Sequence, residues 1–388
     1  MLDFNKEDFL LRPNVLEELN ALRGVEGDSL KLSKHSLLKG YLVQERTALV
    51  EQLKLREKAL KKFSQGENFL FTKLGLEQST RETLSKYKAK RLMGKGESVV
   101  DLCCGIGGDS FFLKQKVIGV DWDRATLKYY MHNLKALKKE AYGVLADVGT
   151  CNIRAEIALL DPARRKESAR EKNWGTSNLS PSLECIEQII SHYGNVALKL
   201  GPGTMLPDSL LEHEIEFLGI KDECLELIVW TGELGRSGCV RGTEVVTGKS
   251  YSMDRLEIEG LYDSVESPGS YIYEPIKVMV RSHLFGLLAK ENNLWQLDPR
   301  IAYLSGNQVI DSPLLKGYRV IEEIPLNLKA LKKVIRKREI GILEIKKRGV
   351  SIVPEKLRQE LKPVGEMSAV LILTRVNNKK VAFLTEPI

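Results

Sequence analysis

The sequence predicts an α/β protein: a doubly wound, mostly parallel sheet, preceded by a helical N-terminal region and followed by a small basic α+β domain. Three observations carry this reading. From Glu97 onward, short apolar runs ending in Asp, Gly or Pro alternate with amphipathic stretches long enough for helices, the pattern of strands covered on both faces. A glycine-rich turn, Gly105, Gly107 and Gly108, follows the first of these runs. Charge is uneven: residues 316–388 hold 17 Lys and Arg against eight Glu and no Asp, while the remainder holds 42 basic and 44 acidic residues.

At 388 residues the chain exceeds one comfortable core, so two or three domains are expected. A hydrophobic content of 43% and a charged content of 29% are those of an ordinary soluble protein. No apolar run approaches the about 20 residues of a membrane helix. The start, "MLDFNKEDFLLRP", carries acids and lacks a basic-then-apolar signal layout, so a cytoplasmic location is expected. Six cysteines lie scattered, and adjacent Cys103 and Cys104 suit neither an ordinary disulfide nor a CxxC site; reduced thiols are expected. The five histidines show no paired spacing, and no metal site is expected.

Residues 1–92 read as helical. "VLEELNALRG" ends on a glycine stop, "SLLKGYLVQERTALVEQLKLREKALKKF" repeats apolar positions at helical spacing, and "LEQSTRETLSKYKAKRLM" forms a third helix with a Ser/Thr start. Residues 93–267 form the sheet domain. Its strands lie in the apolar runs "SVVDLCCGIGGDSFFL", "KVIGVDWD", "AYGVLADV", "IALLDPARR", "NVALKLGPG" and "ECLELIVW", and a helix follows the glycine turn. "ELIVWTGELGRSGCVRGTEVVTG" reads as two strands in an antiparallel edge pair. "SPGSYIYEP" marks a boundary, after which 268–315 is a small segment with one helix, "KVMVRSHLFGLLAKE", and one strand. Within 316–388, "KALKKVIRKREIG" is a helix, "ILEIKKRGVSI" a strand, "PEKLRQELK" a helix, and "SAVLILTRV" with "KKVAFLTEP" a hairpin. The basic balance of this last region favours a polyanion partner, nucleic acid first.

In "VVDLCCGIGGDSFF" the strand carries Asp101 four residues before Gly105. Glycines let the backbone turn sharply and let a ligand approach where a Cβ would block it. A dinucleotide loop faces a pyrophosphate at this point, and a carboxylate would repel it. A ligand bearing an ammonium group would be attracted, and S-adenosylmethionine carries an ammonium and a sulfonium. The next strand ends in Asp121, placed to accept both ribose hydroxyls, with Trp122 beside it to pack on adenine. Asp147 follows at the third strand, placed for the adenine amino group. Cys103 and Cys104 act as small hydrophobes in a crowded loop.

With these residues in view, the chain resembles class I S-adenosylmethionine-dependent methyltransferases over roughly residues 97–250. More narrowly, it is similar to a family of RNA methyltransferases carrying a ferredoxin-like insert and a C-terminal THUMP-like domain. The carriers are "LEQSTRETLSKYKA", "DLCCGIGGDSFFL", "LLDPARR", "ALKLGPG", "VWTGELGRSG" and "YEP". The resemblance implies a Rossmann-like class I fold, with 268–315 as the ferredoxin-like segment and 316–388 as the THUMP-like domain. It implies S-adenosylmethionine as cofactor, bound by Asp101, Cys103, Gly105, Gly107, Gly108, Asp109, Asp121 and Trp122, with Asp147 and Val148 at the adenine. Gln78, Ser79 and Thr80 either cap their helix or reach the methionine carboxylate, the family pattern favouring the second.

The glycine loop also resembles that of guanine-N2 methyltransferases acting on RNA caps and tRNA. Methyltransferases of exocyclic amines end strand four in Asp or Asn, two prolines and an aromatic. The carboxylate and a proline carbonyl accept both N–H bonds and sharpen a delocalised lone pair. Here Asp161 and Pro162 remain, Ala163 replaces the second proline, and Arg164 replaces the aromatic. Arg164 is expected to stack the base or clamp a phosphate, and Arg165 to reach the RNA backbone; pairing with acids such as Glu167 is the plainer alternative. Lys199 ends strand five, either holding phosphate or base or extending from a strand end. The implied function is methylation of tRNA or ribosomal RNA at an exocyclic amine such as guanine N2. Three alternatives stay open: a small-molecule or protein acceptor, uridine C5 methylation through Cys224 or Cys239, and a non-catalytic RNA-binding protein.

Overall fold

The computed structural model describes residues 4–25, 29–164, 176–261 and 265–388. Two compact units emerge: Met1–Glu214 with Leu227–Ser237, and Ile215–Glu226 with Gly238–Ile388.

In the first unit the N-terminal helices form where the apolar spacing predicts. Helix α1 (Pro13–Ala21) buries Val15 and Leu19, and helix α2 (Val43–Ala59) buries Leu49, Val50 and Leu55. The N-terminus of α2 is set by Glu45, whose carboxylate accepts the Leu42 N–H at 2.8 Å. The third expected helix is two, α3 (Lys73–Gln78) and α4 (Glu82–Leu92), because Ser79 and Arg81 are extended. The ammonium of Lys62 stabilises this break. It donates to the carbonyls of Leu76, Glu77 and Ser79 at 2.7, 2.8 and 3.0 Å, satisfying a helix end that would otherwise need water.

The sheet of this unit contains β1 (Ser98–Leu102), β2 (Lys116–Asp121), β3 (Tyr142–Leu145), β4 (Ile157–Leu160), β5 (Val196–Leu200) and the end of β7 (Glu223–Trp230). Its order is β7-β5-β4-β1-β2-β3, with helix α5 (Arg124–Ala136) between β2 and β3 and helix α6 (Leu183–Tyr193) between β4 and β5 in the chain. Five strands run parallel, and residues 227–230 of β7 lie antiparallel to β5. Every residue of β4 is buried, as are four of five in β1, which is why these strands read as unbroken apolar runs. The chain leaves β1 for β2 on one side and comes back to β4 on the other. That topological switch point puts a crevice at the carboxyl ends of β1 and β4.

The crossover after β1 also differs from expectation. Among the described residues no helix follows the glycine turn. Residues 103–115 alone connect β1 to β2, close to the dozen or so that a parallel crossover requires, so a loop and a full helix do not both fit. Turns take the helix's place, with the Phe111 N–H donating to the Gly107 carbonyl at 3.0 Å. Phe111 then packs against Phe63 and Phe69, with ring centroids 5.5 and 4.8 Å away.

The second unit holds β6 (Glu214–Ile220, from Ile215), β8 (Cys239–Glu244) and β9 (Ser250–Asp254). β8 runs parallel to β6 and antiparallel to β9, so the expected edge pair is corrected: "CVRGTE" pairs with "EIEFLGI", not with "ELIVW". The segment "EIEFLGI" was not foreseen as a strand because Glu214 and Glu216 interrupt its apolar run, although both are buried. A seven-stranded sheet follows, built from β10 (Tyr271–Pro275), β11 (Trp295–Asp298), β12 (Ile301–Gly306), β13 (Leu315–Pro325), β14 (Ile340–Lys347), β15 (Met367–Val376) and β16 (Lys379–Pro387). The order is β11-β12-β10-β13-β16-β15-β14, with only β14 and β15 parallel. Helix α9 (Leu328–Lys337) buries Leu331 and Ile335, and helix α10 (Pro354–Leu361) buries Leu357 and Leu361. Both match the expected tail elements. The single helix expected after Ile276 is split into α7 (Lys277–Arg281) and α8 (Phe285–Glu291) by His283, whose φ is +58°. Among the described residues no helix is long and apolar enough to cross a membrane.

Candidate active site

The backbone turns sharply at the glycines, as expected. Gly105 and Gly107 have φ of +55° and +97°, and Cys103 adopts +62°, a region costly for side chains other than Gly, Asn or Asp. A Cβ on Gly105 would meet nothing within 4 Å, whereas one on Gly107 would come within 2.7 Å of the Phe111 ring. Gly105 therefore faces open space, and Gly107 faces the core. A Cβ on Gly108 would lie 3.2 Å from the Thr80 nitrogen and 3.4 Å from the Ser79 Cβ. The Ser79–Thr80 turn thus lies against the glycine turn, with Gln78 exposed at its edge. The Ser79 hydroxyl donates to the Leu76 carbonyl at 3.0 Å.

Two acids at the switch point sit in unlike surroundings. Asp101 is 2% exposed and accepts a hydrogen bond from the Ser110 hydroxyl, which Tyr130 approaches at 3.3 Å. Burial pushes the Asp101 carboxyl up to about 8, against the lowering effect of Ser110. Asp161, directly after β4, has a side chain 39% exposed, and its Oδ2 lies 2.6 Å from the Lys199 ammonium of β5. Desolvation in this recess pushes the Asp161 carboxyl up, and Lys199 opposes that rise.

Behind them lies a charge network. Lys199 also donates to the Thr80 hydroxyl at 2.9 Å and approaches Asp109 Oδ2 at 3.7 Å. Thr80 donates to Asp109 Oδ2 at 2.9 Å, and Lys88 of α4 pairs with Asp109 Oδ1. Burial raises the Asp109 carboxyl, but Lys88, Lys199 and Thr80 outweigh it and hold the group below its usual range. Lys88, Asp101, Asp109, Asp161 and Lys199 all line a cavity of about 10 Å³, room for about one water. Lys88 and Ser110 were not foreseen. The signal for Lys88 was present, since it shares the buried stripe of α4 with Leu84 and Leu92, where an apolar residue belongs.

Asp121 ends β2 and is 8% exposed. It accepts the Gly105 N–H at 3.0 Å and the Asp123 N–H at 2.9 Å, so its carboxylate is fixed with lone pairs to spare. Trp122 is 82% exposed, an open aromatic face. Asp147 lies two residues beyond β3, exposed, and accepts the Gly149 N–H at 2.8 Å, while Val148 beside it is buried. An open glycine, a fixed carboxylate, an exposed indole and a further acid at adjacent strand ends fit a ligand carrying ammonium, ribose and adenine groups.

Beyond Asp161, Pro162 is buried, and Ala163–Arg164 forms a two-residue antiparallel ladder with Leu179–Ser180. The Arg164 side chain, Arg165 and Glu167 lie outside the described residues. Cys224 sits on β7, with its thiol pushed up to about 12 by burial, and Cys239 on β8 is 1% exposed. Cys224 is therefore not a poised thiolate. Burial and then the neighbouring carboxylates also push the Cys103 thiol up.

Residues 315–387 match the THUMP domain-like family. Two Mycobacterium tuberculosis proteins, from strains CDC 1551 / Oshkosh and ATCC 25618 / H37Rv, are described as uncharacterized S-adenosylmethionine-dependent methyltransferases. Each is 30% identical over 352 residues, 87% of this chain and 95% of the relative. A crystal structure of a protein assigned as a methyltransferase, from Porphyromonas gingivalis W83, matches with a TM-score of 0.81 at 20% identity, covering 98% of each chain. That likeness shows the shared fold.

Proposed function

Because the chain belongs to the S-adenosylmethionine-dependent methyltransferases with a C-terminal THUMP-like domain, we propose that its acceptor is RNA, tRNA or ribosomal RNA, methylated on a base exocyclic amine such as guanine N2. One observation carries the choice of RNA: the THUMP-like region, residues 315–387, coincides with the segment that holds the chain's excess positive charge. On α9, Lys329, Lys333, Arg336 and Lys337 are all exposed, a basic face suited to phosphates.

S-adenosylmethionine supplies an electrophilic methyl group on a positively charged sulfur. The protein's own contribution is placement and proton handling. Asp121 would hold the ribose hydroxyls, Asp147 and Trp122 the adenine, and Asp101 the ammonium, with Gly105 leaving room for close approach. Thr80 is committed to Asp109 and Lys199, so it serves the recess, and Ser79 and Gln78 remain for the methionine carboxylate. Asp161 and the Pro162 carbonyl would each accept one N–H of the amine. Asp161 would take the proton released as the nitrogen is alkylated. A flipped-out or unpaired base is required for this reach.

The test is mass-spectrometric analysis of nucleosides from tRNA and ribosomal RNA of cells with and without the gene. Loss of one N-methylated purine is expected. Loss of a C5-methylated uridine would replace the amine chemistry. An unchanged profile in both pools would move the acceptor to a small molecule or protein.

A further inference from the structure

We infer that Lys199 is a positioning residue of this reaction: it holds Asp161 by one oxygen, leaving the other to the acceptor, and ties that acid through Thr80 and Asp109 to the turn packed on the glycine loop. The inference rests on the reading of Asp161 given above.

The geometry is specific. Lys199 Nζ is 2.6 Å from Asp161 Oδ2 and 2.9 Å from the Thr80 hydroxyl, and it is 15% exposed. Thr80 accepts from Lys199 and donates to Asp109, whose other oxygen is taken by Lys88. The chain Asp161, Lys199, Thr80, Asp109, Lys88 therefore alternates acceptor and donor from β4 and β5 to the turn between α3 and α4. A carboxylate gripped on one oxygen is fixed in rotation and has one directed acceptor left. Without Lys199, Asp161 would turn freely and would face Asp109, Asp101 and the Cys103 sulfur with less positive charge to balance them. Among the described residues, the groups that face Asp161 are Lys199 from β5, Asp109 and Cys103 from the glycine turn, Asp101 from β1 and Lys88 from α4. Of these, the lysines favour its ionised form.

This assigns Lys199 a task other than gripping a phosphate or base. It also explains how Ser79–Thr80, which touches the glycine loop, and Asp161, which would touch the acceptor, share one set of hydrogen bonds.

The experiment compares wild type, Lys199→Met, Lys199→Arg and Thr80→Val in the full-length protein. Carboxyl-¹³C aspartate spectra, with the Asp161 signal assigned by Asp161→Asn, follow its titration directly and require no substrate. Lys199→Met should move the Asp161 titration upward by about one pH unit or more. Lys199→Arg should largely restore it, and Thr80→Val should produce a smaller upward shift. Affinity for S-adenosylhomocysteine should stay within about twofold, because the roles proposed above give the cofactor to other residues. With RNA from cells lacking the gene and tritiated S-adenosylmethionine, the acid limb of methyl transfer should shift upward by the same amount. If the Asp161 titration stays in place in folded Lys199→Met, the inference is overturned. A raised RNA KM without a titration shift would make Lys199 a substrate contact instead. No transfer to RNA by the wild type would sink the RNA reading and leave the carboxyl titration to decide the role of Lys199.

Discussion

Lysines in the two units do different work. Lys88 and Lys199 of the first unit are nearly buried and fixed within hydrogen-bond range of Asp109 and Asp161. Lys329, Lys333 and Lys337 on α9 stand exposed. A buried ammonium beside a carboxylate acts over a few ångströms and is little screened by salt. Charges on an exposed helix act together, over about a Debye length, and lose their pull as salt rises. The contrast teaches that one residue type can be fixed as a short-range counter-ion in one place and stand as an open, salt-screened surface charge in the other.

The sharpest break of that comparison is at the recess. Asp161→Ala should reduce turnover by about 10²–10⁴-fold while leaving S-adenosylhomocysteine affinity nearly intact by calorimetry. A parallel loss of both would mean that Asp161 serves the cofactor. Next in size, Lys88→Met leaves Asp109 buried with one cation fewer and should cost about 3–5 kcal/mol of stability, measured by urea unfolding. A cost below about 1 kcal/mol would show that Lys199 alone suffices for Asp109.

The exposed set should answer differently. Lys333→Glu with Arg336→Glu should leave stability within about 0.5 kcal/mol and weaken RNA binding across sequences. The slope of log K against log salt should shrink by about one for each phosphate no longer neutralised. An unchanged slope would remove α9 from the interface.

The smallest effect concerns pH. Asp101, pushed up to about 8, is mostly neutral at pH 7 in the free protein. Pairing with an ammonium favours its ionised form, so cofactor binding should expel close to one proton at pH 7. Affinity should climb with pH until about 8 and then level off, as calorimetry in buffers of different ionisation enthalpy can count. The same shift has a stability sign. The native state keeps a proton that the unfolded chain, near the ordinary 3.8, has lost. Asp101 therefore contributes stability that is full below about 3.8 and is lost as pH rises through about 8.

Much of the core was legible because buried parallel strands write themselves as apolar runs stopped by Asp, Gly or Pro. Asp101, Asp121 and Asp161 were located that way, and the glycines between them signalled a close approach. The links behind the site were not legible. Lys88 reads as one more charge in a basic helix until its place on the buried stripe is noticed, and its partner Asp109 is 21 positions away. The strands β6 and β13 hid because acids interrupt their apolar pattern, in β6 as buried groups with partners far along the chain. The split of the third helix depended on Lys62, whose bonds to three carbonyls no local pattern encodes.

The short crossover between β1 and β2 has a further consequence. A helix starting at the glycine turn would present aligned N–H groups and roughly half a unit of positive charge, the well in which nucleotide pyrophosphates settle. Here turns stand in that place, beside the acid Asp101. Adenine and ribose alone would not tell a methyl donor from the far more common dinucleotides. What the described residues omit here is the helix N-terminus on which a pyrophosphate would settle.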